Sequence, residues 1–172
     1  MSKLIKFIAT LGGLGYSRIA PGTTGCLGGA ALYLLVKQNT IVYGAVTVAL
    51  LILGFYVSGR AEEIFRAKDA KPIVIDDACG LLIALFLIPF SYTNFLVVFL
   101  LFRTIDIIKP FPIRKIENLN GSLGIVGDDI LAGLYTNILY RLALKFLPSL
   151  KSVIVKSSRL TPTSLLFAAG PP

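Results

Sequence analysis

The chain has 172 residues, of which 55% are hydrophobic and only 15% charged, and its mean hydropathy is +0.81. That excludes an ordinary soluble domain, because uncharged runs such as 41–59 and 95–102 have no polar face to show to water. The absence of histidine excludes a Ser-His-Asp triad, a phosphohistidine and a His-ligated zinc or haem. The formal charge is +8, and Lys and Arg gather at the ends of apolar runs, which points to an anionic membrane surface and not to nucleic acid.

In chain order, the first ten residues carry Lys3 and Lys6 but no apolar core with a small-residue cleavage site, so they read as mature protein. A glycine-rich stretch over 12–29 leads through Pro21 into an apolar segment that ends at Val36, and 37–40 is a polar turn. Residues 41–57 predict a spanning helix at the lower limit of length for crossing a bilayer. Residues 60–71, with Glu62, Glu63, Arg66 and Lys68, predict a separate solvated helix. After an extended segment at 72–75, residues 78–88 predict an apolar helix ended by Pro89, followed by an uncharged turn at 91–94. Residues 95–108 predict a helix that Lys109-Pro110 and Pro112 stop. A glycine-punctuated loop at 118–127 precedes the last apolar helix, 130–147.

The expected fold is all-α: a membrane-embedded helical bundle of about five to six helices, some short or re-entrant because several apolar segments run only about 11 to 14 residues. One domain is expected over 1–148, with a mobile tail over 149–172. Cys26 and Cys79, isolated among apolar neighbours, are expected to be small core residues. The segments 60–71 and 109–115 hold most of the loop Lys and Arg, which predicts that both lie on the cytoplasmic side.

Only nine residues are acidic, and Asp76, Asp77, Asp106, Asp128 and Asp129 all fall at the mouths or inside of apolar helices. An ionised Asp in a membrane helix costs about 2.5 to 3.5 kcal/mol, so these five need cations, water or a metal to compensate them. One member of each pair is expected to cap its helix. Capping does not explain the doubling, because adjacent carboxylates repel unless a cation sits between them. All five are therefore candidate metal ligands and candidate catalytic groups that position an attacking water. An oxygen-only donor set suits Mg²⁺. Arg103, Asp106 and Lys109 lie at steps of three on one helix face, and Arg103 and Lys109 are candidate binders of substrate phosphate. Thr23, in the run 20–25 at a helix start, is a third. Together these residues imply metal-assisted phosphoryl chemistry on a lipid head group. The non-enzyme alternative, a cation carrier or channel, would place its aspartates near mid-helix. A CDP-alcohol phosphatidyltransferase would need a DGxxAR run, which the sequence lacks.

The runs Ala20-Pro21-Gly22-Thr23 with Gly25, Ile75-Asp76-Asp77 with Gly80, Phe102-Arg103-Thr104-Ile105-Asp106-Ile107-Ile108-Lys109-Pro110-Phe111-Pro112-Ile113, and Gly127-Asp128-Asp129-Ile130-Leu131-Ala132-Gly133 resemble the phosphatidylglycerophosphatase A family. The resemblance extends from about Leu11 to about Leu147. It implies a Mg²⁺-dependent phosphatase of phospholipid biosynthesis that converts phosphatidylglycerophosphate to phosphatidylglycerol and phosphate. It also implies a location in the bacterial cytoplasmic (inner) membrane and a bundle with one central helix, while the basic loops, at the same helix ends as the five aspartates, predict a site facing the cytoplasm. Where the family pattern has Asp-Glu, this chain has Asp76-Asp77; Arg18 and Cys26 stand where the pattern has proline and serine.

Overall fold

A computed structural model describes residues 2–146, and the expected tail over 149–172 lies outside them. Among the described residues the chain forms seven α-helices and no strand: α1 (Ser2–Ala9), α2 (Pro21–Val36), α3 (Thr40–Phe65), α4 (Ile75–Ala84), α5 (Tyr92–Ile108), α6 (Ile113–Glu117) and α7 (Ser122–Phe146). The all-α class is as expected, while several boundaries differ for identifiable reasons.

Pro21 opens α2 in the first turn, where its missing N–H leaves no helical bond unmade. The polar turn at 37–40 ends with Asn39, whose side chain accepts the N–H groups of Ile41 and Val42 at 3.0 and 3.1 Å and so caps α3. The expected separation between a spanning helix and a solvated helix does not exist. Helix α3 continues through Ser58, Gly59 and Arg60 to Phe65 and stops only where Arg66 turns left-handed, at φ 53°. Its 26 residues make it long and apolar enough to cross a membrane, and Ile41, Val48 and Ile52 lie exposed along it.

The central helix is α4, which packs against α7, α2, α3 and α5. It starts at Ile75 instead of 78, so Asp76 and Asp77 sit inside its first turn; Val74 is the N-cap and no side chain caps it. The expected capping role of this pair is therefore not realised. The helix ends at Ala84, well before Pro89, and at 10 residues it spans roughly 15 Å, half a bilayer core. Every residue from Ile75 to Leu82 is buried.

Glycine brings α4 and α7 together. A Cβ on Gly133 would stand 2.4 Å from the Gly80 carbonyl oxygen, so the two backbones touch and no side chain fits between them. Gly133→Val should cost about 3 kcal/mol and lower the thermal midpoint in detergent steeply. Gly44→Val, where a Cβ meets nothing within 4 Å, should leave that midpoint unchanged.

Residues 91–94, expected as a turn, are instead the cap and first turn of α5: Ser91 Oγ accepts the Asn94 N–H at 3.0 Å. The helix stops as expected at Lys109, which is left-handed at φ 46°. Helices α1 and α6 were not expected. Helix α7 begins at Ser122 instead of 130, which puts Asp128 and Asp129 within the helix and not ahead of it. Gly124 and Gly127, which read as loop punctuation, are helical; a Cβ on Gly124 would stand 2.3 Å from the Leu119 carbonyl oxygen. They allow the connection from α6 to lie on α7. One apolar core gathers Tyr33, Leu81, Leu82, Val98, Phe102 and Tyr140, and a second gathers Val57, Ala61, Ile75 and Ile125. Cys26 and Cys79 are free and buried, as expected.

Candidate active site

The N-terminus of α4, the C-terminus of α5 and an early turn of α7 meet at one end of the bundle. They bring Asp76, Asp77, Asp106, Asp128 and Asp129 together with Arg103 and Lys109 around a cavity of about 290 Å³, whose wall also includes Pro21, Gly22, Asp69 and Lys71. Thr23 is half-buried in the first turn of α2 and is not on the cavity wall. Its neighbour Thr24 is structural, since its hydroxyl donates to the carbonyls of Leu14 and Pro21 at 2.8 and 2.7 Å.

Arg103 and Lys109 are each held by two carboxylates. Arg103 Nη1 lies 2.6 Å from Asp77 Oδ1 and 2.7 Å from Asp106 Oδ2, the latter through the expected i, i+3 spacing. Lys109 Nζ lies 2.6 Å from Asp128 Oδ2 and 2.9 Å from Glu117 Oε1. The sequence reading missed Glu117, which reaches the site only because the chain folds back through α6. It also missed Asp69 and Lys71, whereas Gly22 lies in the run 20–25 expected at the site. A Cβ on Gly22 would stand 3.0 Å from Arg103 Nη2 and from both Asp77 carboxylate oxygens, so glycine keeps open the space above them.

Asp76, Asp77 and Asp129 form the metal-type part of the site. Each offers one carboxylate oxygen, the three oxygens lie within 4.8 Å of one another, and all three residues are buried. Asp76 Oδ1 is buried with no hydrogen-bond partner. Leaving a buried carboxylate uncompensated costs several kcal/mol, and six aspartates on this wall face three cations. A hard divalent cation bound by oxygen donors fits this set.

The electrostatics agree. Burial pushes Asp76 well above the usual carboxylate range, and the charges of Asp77 and Asp69 add to the shift. Asp129 is pushed up by burial and then by Asp106, Asp77 and Asp76. Asp77 is pushed up to about 8, because burial and the Asp106 charge outweigh the downward pull of Arg103. Asp128 is pushed up to about 6 by burial, against the hydrogen bond and charge of Lys109. Burial works against the charge of Lys109, but Asp128 and Glu117 raise it above its ordinary value. Cys26 Sγ lies 3.8 Å from Asp77 Oδ1 and 3.6 Å from Arg103 Nη1; burial pushes its thiol up, so it supports the pair as a neutral group.

Residues 7–144 match the phosphatidylglycerophosphatase A family. The chain belongs to that family. A Haemophilus influenzae phosphatidylglycerophosphatase A is 37% identical over an alignment covering 78% of this chain and 85% of the relative. The Escherichia coli phosphatidylglycerophosphatase A is 33% identical, with 81% and 84% covered. A Bacteroides thetaiotaomicron protein provisionally named a phosphatidylinositol-3-phosphatase is 35% identical, with 83% and 94% covered. No solved structure matches. As a member of the phosphatidylglycerophosphatase A family the protein is a lipid phosphatase of that type. The cation-carrier alternative gains no support from these relatives, and the aspartates cluster at one end of the bundle instead of following a path through it.

Proposed function

We propose that the protein hydrolyses the phosphomonoester of phosphatidylglycerophosphate to give phosphatidylglycerol and phosphate, with Mg²⁺ held by aspartates, at the cytoplasmic face of the bacterial inner membrane. The observation that carries this reading is the buried trio of Asp76, Asp77 and Asp129, with the partnerless Asp76 Oδ1, set beside Arg103 and Lys109 in one cavity. The family relatives named phosphatidylglycerophosphatase A support the substrate. When bound, Mg²⁺ supplies Lewis-acid stabilisation of phosphoryl oxygens and lowers the pKa of a bound water.

The chain's own residues do the rest. Asp76, Asp77 and Asp129 would hold the ion. Asp128, with its carboxyl at about 6 and Oδ2 engaged by Lys109, is ionised at neutral pH and is placed to accept a proton from the attacking water. Arg103 Nη1 is occupied by Asp77 and Asp106, which leaves Nη2 facing the gap at Gly22 for a phosphate oxygen. Lys109 adds a point charge where negative charge develops. Ile107, Ile108 and Phe111 are exposed beside the site and suit contact with acyl chains. Exposed Lys68, Lys71, Arg114 and Lys115 at the same end support a cytoplasmic orientation.

Phosphate release from phosphatidylglycerophosphate, phosphatidylinositol 3-phosphate and glycerol 3-phosphate, measured side by side in detergent, tests the proposal. Release should be fastest from phosphatidylglycerophosphate, slow from the soluble ester and abolished by EDTA. Faster release from phosphatidylinositol 3-phosphate would reassign the head group, and no release from either lipid would overturn the reading.

The raised carboxyls also set a pH dependence. Asp77 at about 8 and Asp128 at about 6 bind protons in the folded, metal-free protein that an unfolded chain releases near pH 4. Their contribution to stability is therefore fully present below about pH 4 and is lost as pH rises through 6 and then 8. In EDTA the thermal midpoint should fall between pH 5.5 and 8.5, and Mg²⁺ should restore it most at the higher pH, because binding displaces those protons. A Mg²⁺ increment that is equal at both pH values would count against the aspartates as ligands.

A further inference from the structure

We infer that a second anion subsite adjoins the catalytic cavity, in a groove where Arg18 and Lys71 take the phosphodiester of the lipid head group. The inference rests on the lipid substrate proposed above and assigns the part of it that does not react.

The groove has a volume of about 500 Å³ and runs between residues 15–19 and 71–72. It shares Pro21 and Lys71 with the catalytic cavity, so the two spaces are neighbours with one lysine on the wall of both. Its sides are fixed by backbone contact. A Cβ on Gly15 would stand 2.0 Å from the Pro72 carbonyl oxygen, so the short 3-10 turn at Leu14–Tyr16 lies directly on the segment that carries Lys71. The Thr24 hydroxyl ties that turn to α2 through the Leu14 carbonyl at 2.8 Å, and the Val74 N–H donates to the Ala9 carbonyl at 3.0 Å on the other side.

The two spaces differ in charge. In the catalytic cavity Arg103 and Lys109 are each neutralised by two carboxylates. Among the described residues no carboxylate lines the groove, and Arg18 and Lys71 have neither an ion pair nor a hydrogen-bond partner. A phosphodiester carries a single negative charge and takes no part in the hydrolysis, so it needs cations and no ligand set. On the rim, Ile19 is 96% exposed and Tyr16 56% exposed, an apolar and an amphipathic side chain placed where a bound diester would continue into acyl chains.

The full chain in neutral-detergent micelles allows two measurements. The first is binding of phosphatidylglycerol, which has the diester and no monoester, against diacylglycerol, which has neither. Arg18→Gln and Lys71→Gln should each weaken phosphatidylglycerol binding roughly tenfold. Arg114→Gln, which removes the same charge outside the groove, should change it less than about twofold, and diacylglycerol binding should not move. The second is turnover: Arg18→Gln, which touches the groove and not the catalytic cavity, should raise KM for phosphatidylglycerophosphate roughly tenfold at constant kcat and leave KM for phosphatidic acid, a monoester without the diester, within about twofold. Equal losses of phosphatidylglycerol binding in Lys71→Gln and Arg114→Gln would reduce the groove to general charge attraction. A parallel rise in KM for both substrates in Arg18→Gln would detach Arg18 from the diester; either result overturns the subsite. If the wild type releases no phosphate from phosphatidylglycerophosphate, the catalytic reading fails on its own, and the binding measurement still decides the groove.

Discussion

Asp76→Asn should lower phosphate release from phosphatidylglycerophosphate about a thousandfold or more while leaving the protein folded. Asp76 is buried, its Oδ1 has no partner, and it accepts from neither Arg103 nor Lys109. The position of Asp76 and Asp77 in the first turn of α4 gives them the positive end of a helix dipole. That is worth only about 0.3 to 1 kcal/mol, well short of the several kcal/mol that burial of a lone carboxylate costs. The amide keeps the shape and removes the charge that a bound cation needs. In EDTA the thermal midpoint of Asp76→Asn should therefore match or exceed that of the wild type, and added Mg²⁺ should no longer raise it. Asp128→Asn should do less to the metal requirement, since Asp128 is paired with Lys109 and lies outside the trio of close oxygens. Full activity in Asp76→Asn, with Mg²⁺ stabilisation intact, would sink the metal-centred chemistry.

Much of this site was legible because charge in an apolar chain is costly and therefore has a reason. The doubled aspartates, the step-of-three run from Arg103 to Lys109 and the proline stops at 110 and 112 all led to one cluster, and all seven side chains line one cavity. What misled was glycine. Gly124 and Gly127 read as turn residues, yet they are inside α7 because a neighbouring segment lies against them, and sequence does not separate a glycine that bends the chain from one that admits a contact. The start of α7, and with it the position of Asp128 and Asp129, was misplaced for that reason. Composition misled at α3, where the change from apolar to charged residues alters the solvent around the helix and leaves its backbone bonds intact. Glu117 and Lys71 carry no local signal at all. They belong to the site through the return of α6 and the 71–72 segment respectively.

Arg103→Lys separates phosphate binding from metal binding, because it keeps the charge and loses the fork. Arg103 Nη1 reaches Asp77 and Asp106 at once, at 2.6 and 2.7 Å, while Nη2 points to the space that Gly22 leaves open. A lysine head can hold the two carboxylates but has no second nitrogen to offer in the plane of a phosphate. The kcat/KM for phosphatidylglycerophosphate should fall about a hundredfold, inhibition by inorganic phosphate should weaken, and the Mg²⁺ concentration for half-maximal rate should move less than about twofold. Arg103→Ala is the poorer test, since it leaves Asp77 and Asp106 buried without their cation and endangers the fold. The two aspartate and arginine variants should thus fail differently in one titration of rate against Mg²⁺: Asp76→Asn through loss of the metal response, Arg103→Lys at full metal response. If Arg103→Lys shifts the Mg²⁺ requirement as far as Asp76→Asn does, Arg103 serves to hold Asp77 in place as a ligand, and its role in gripping the phosphate is wrong.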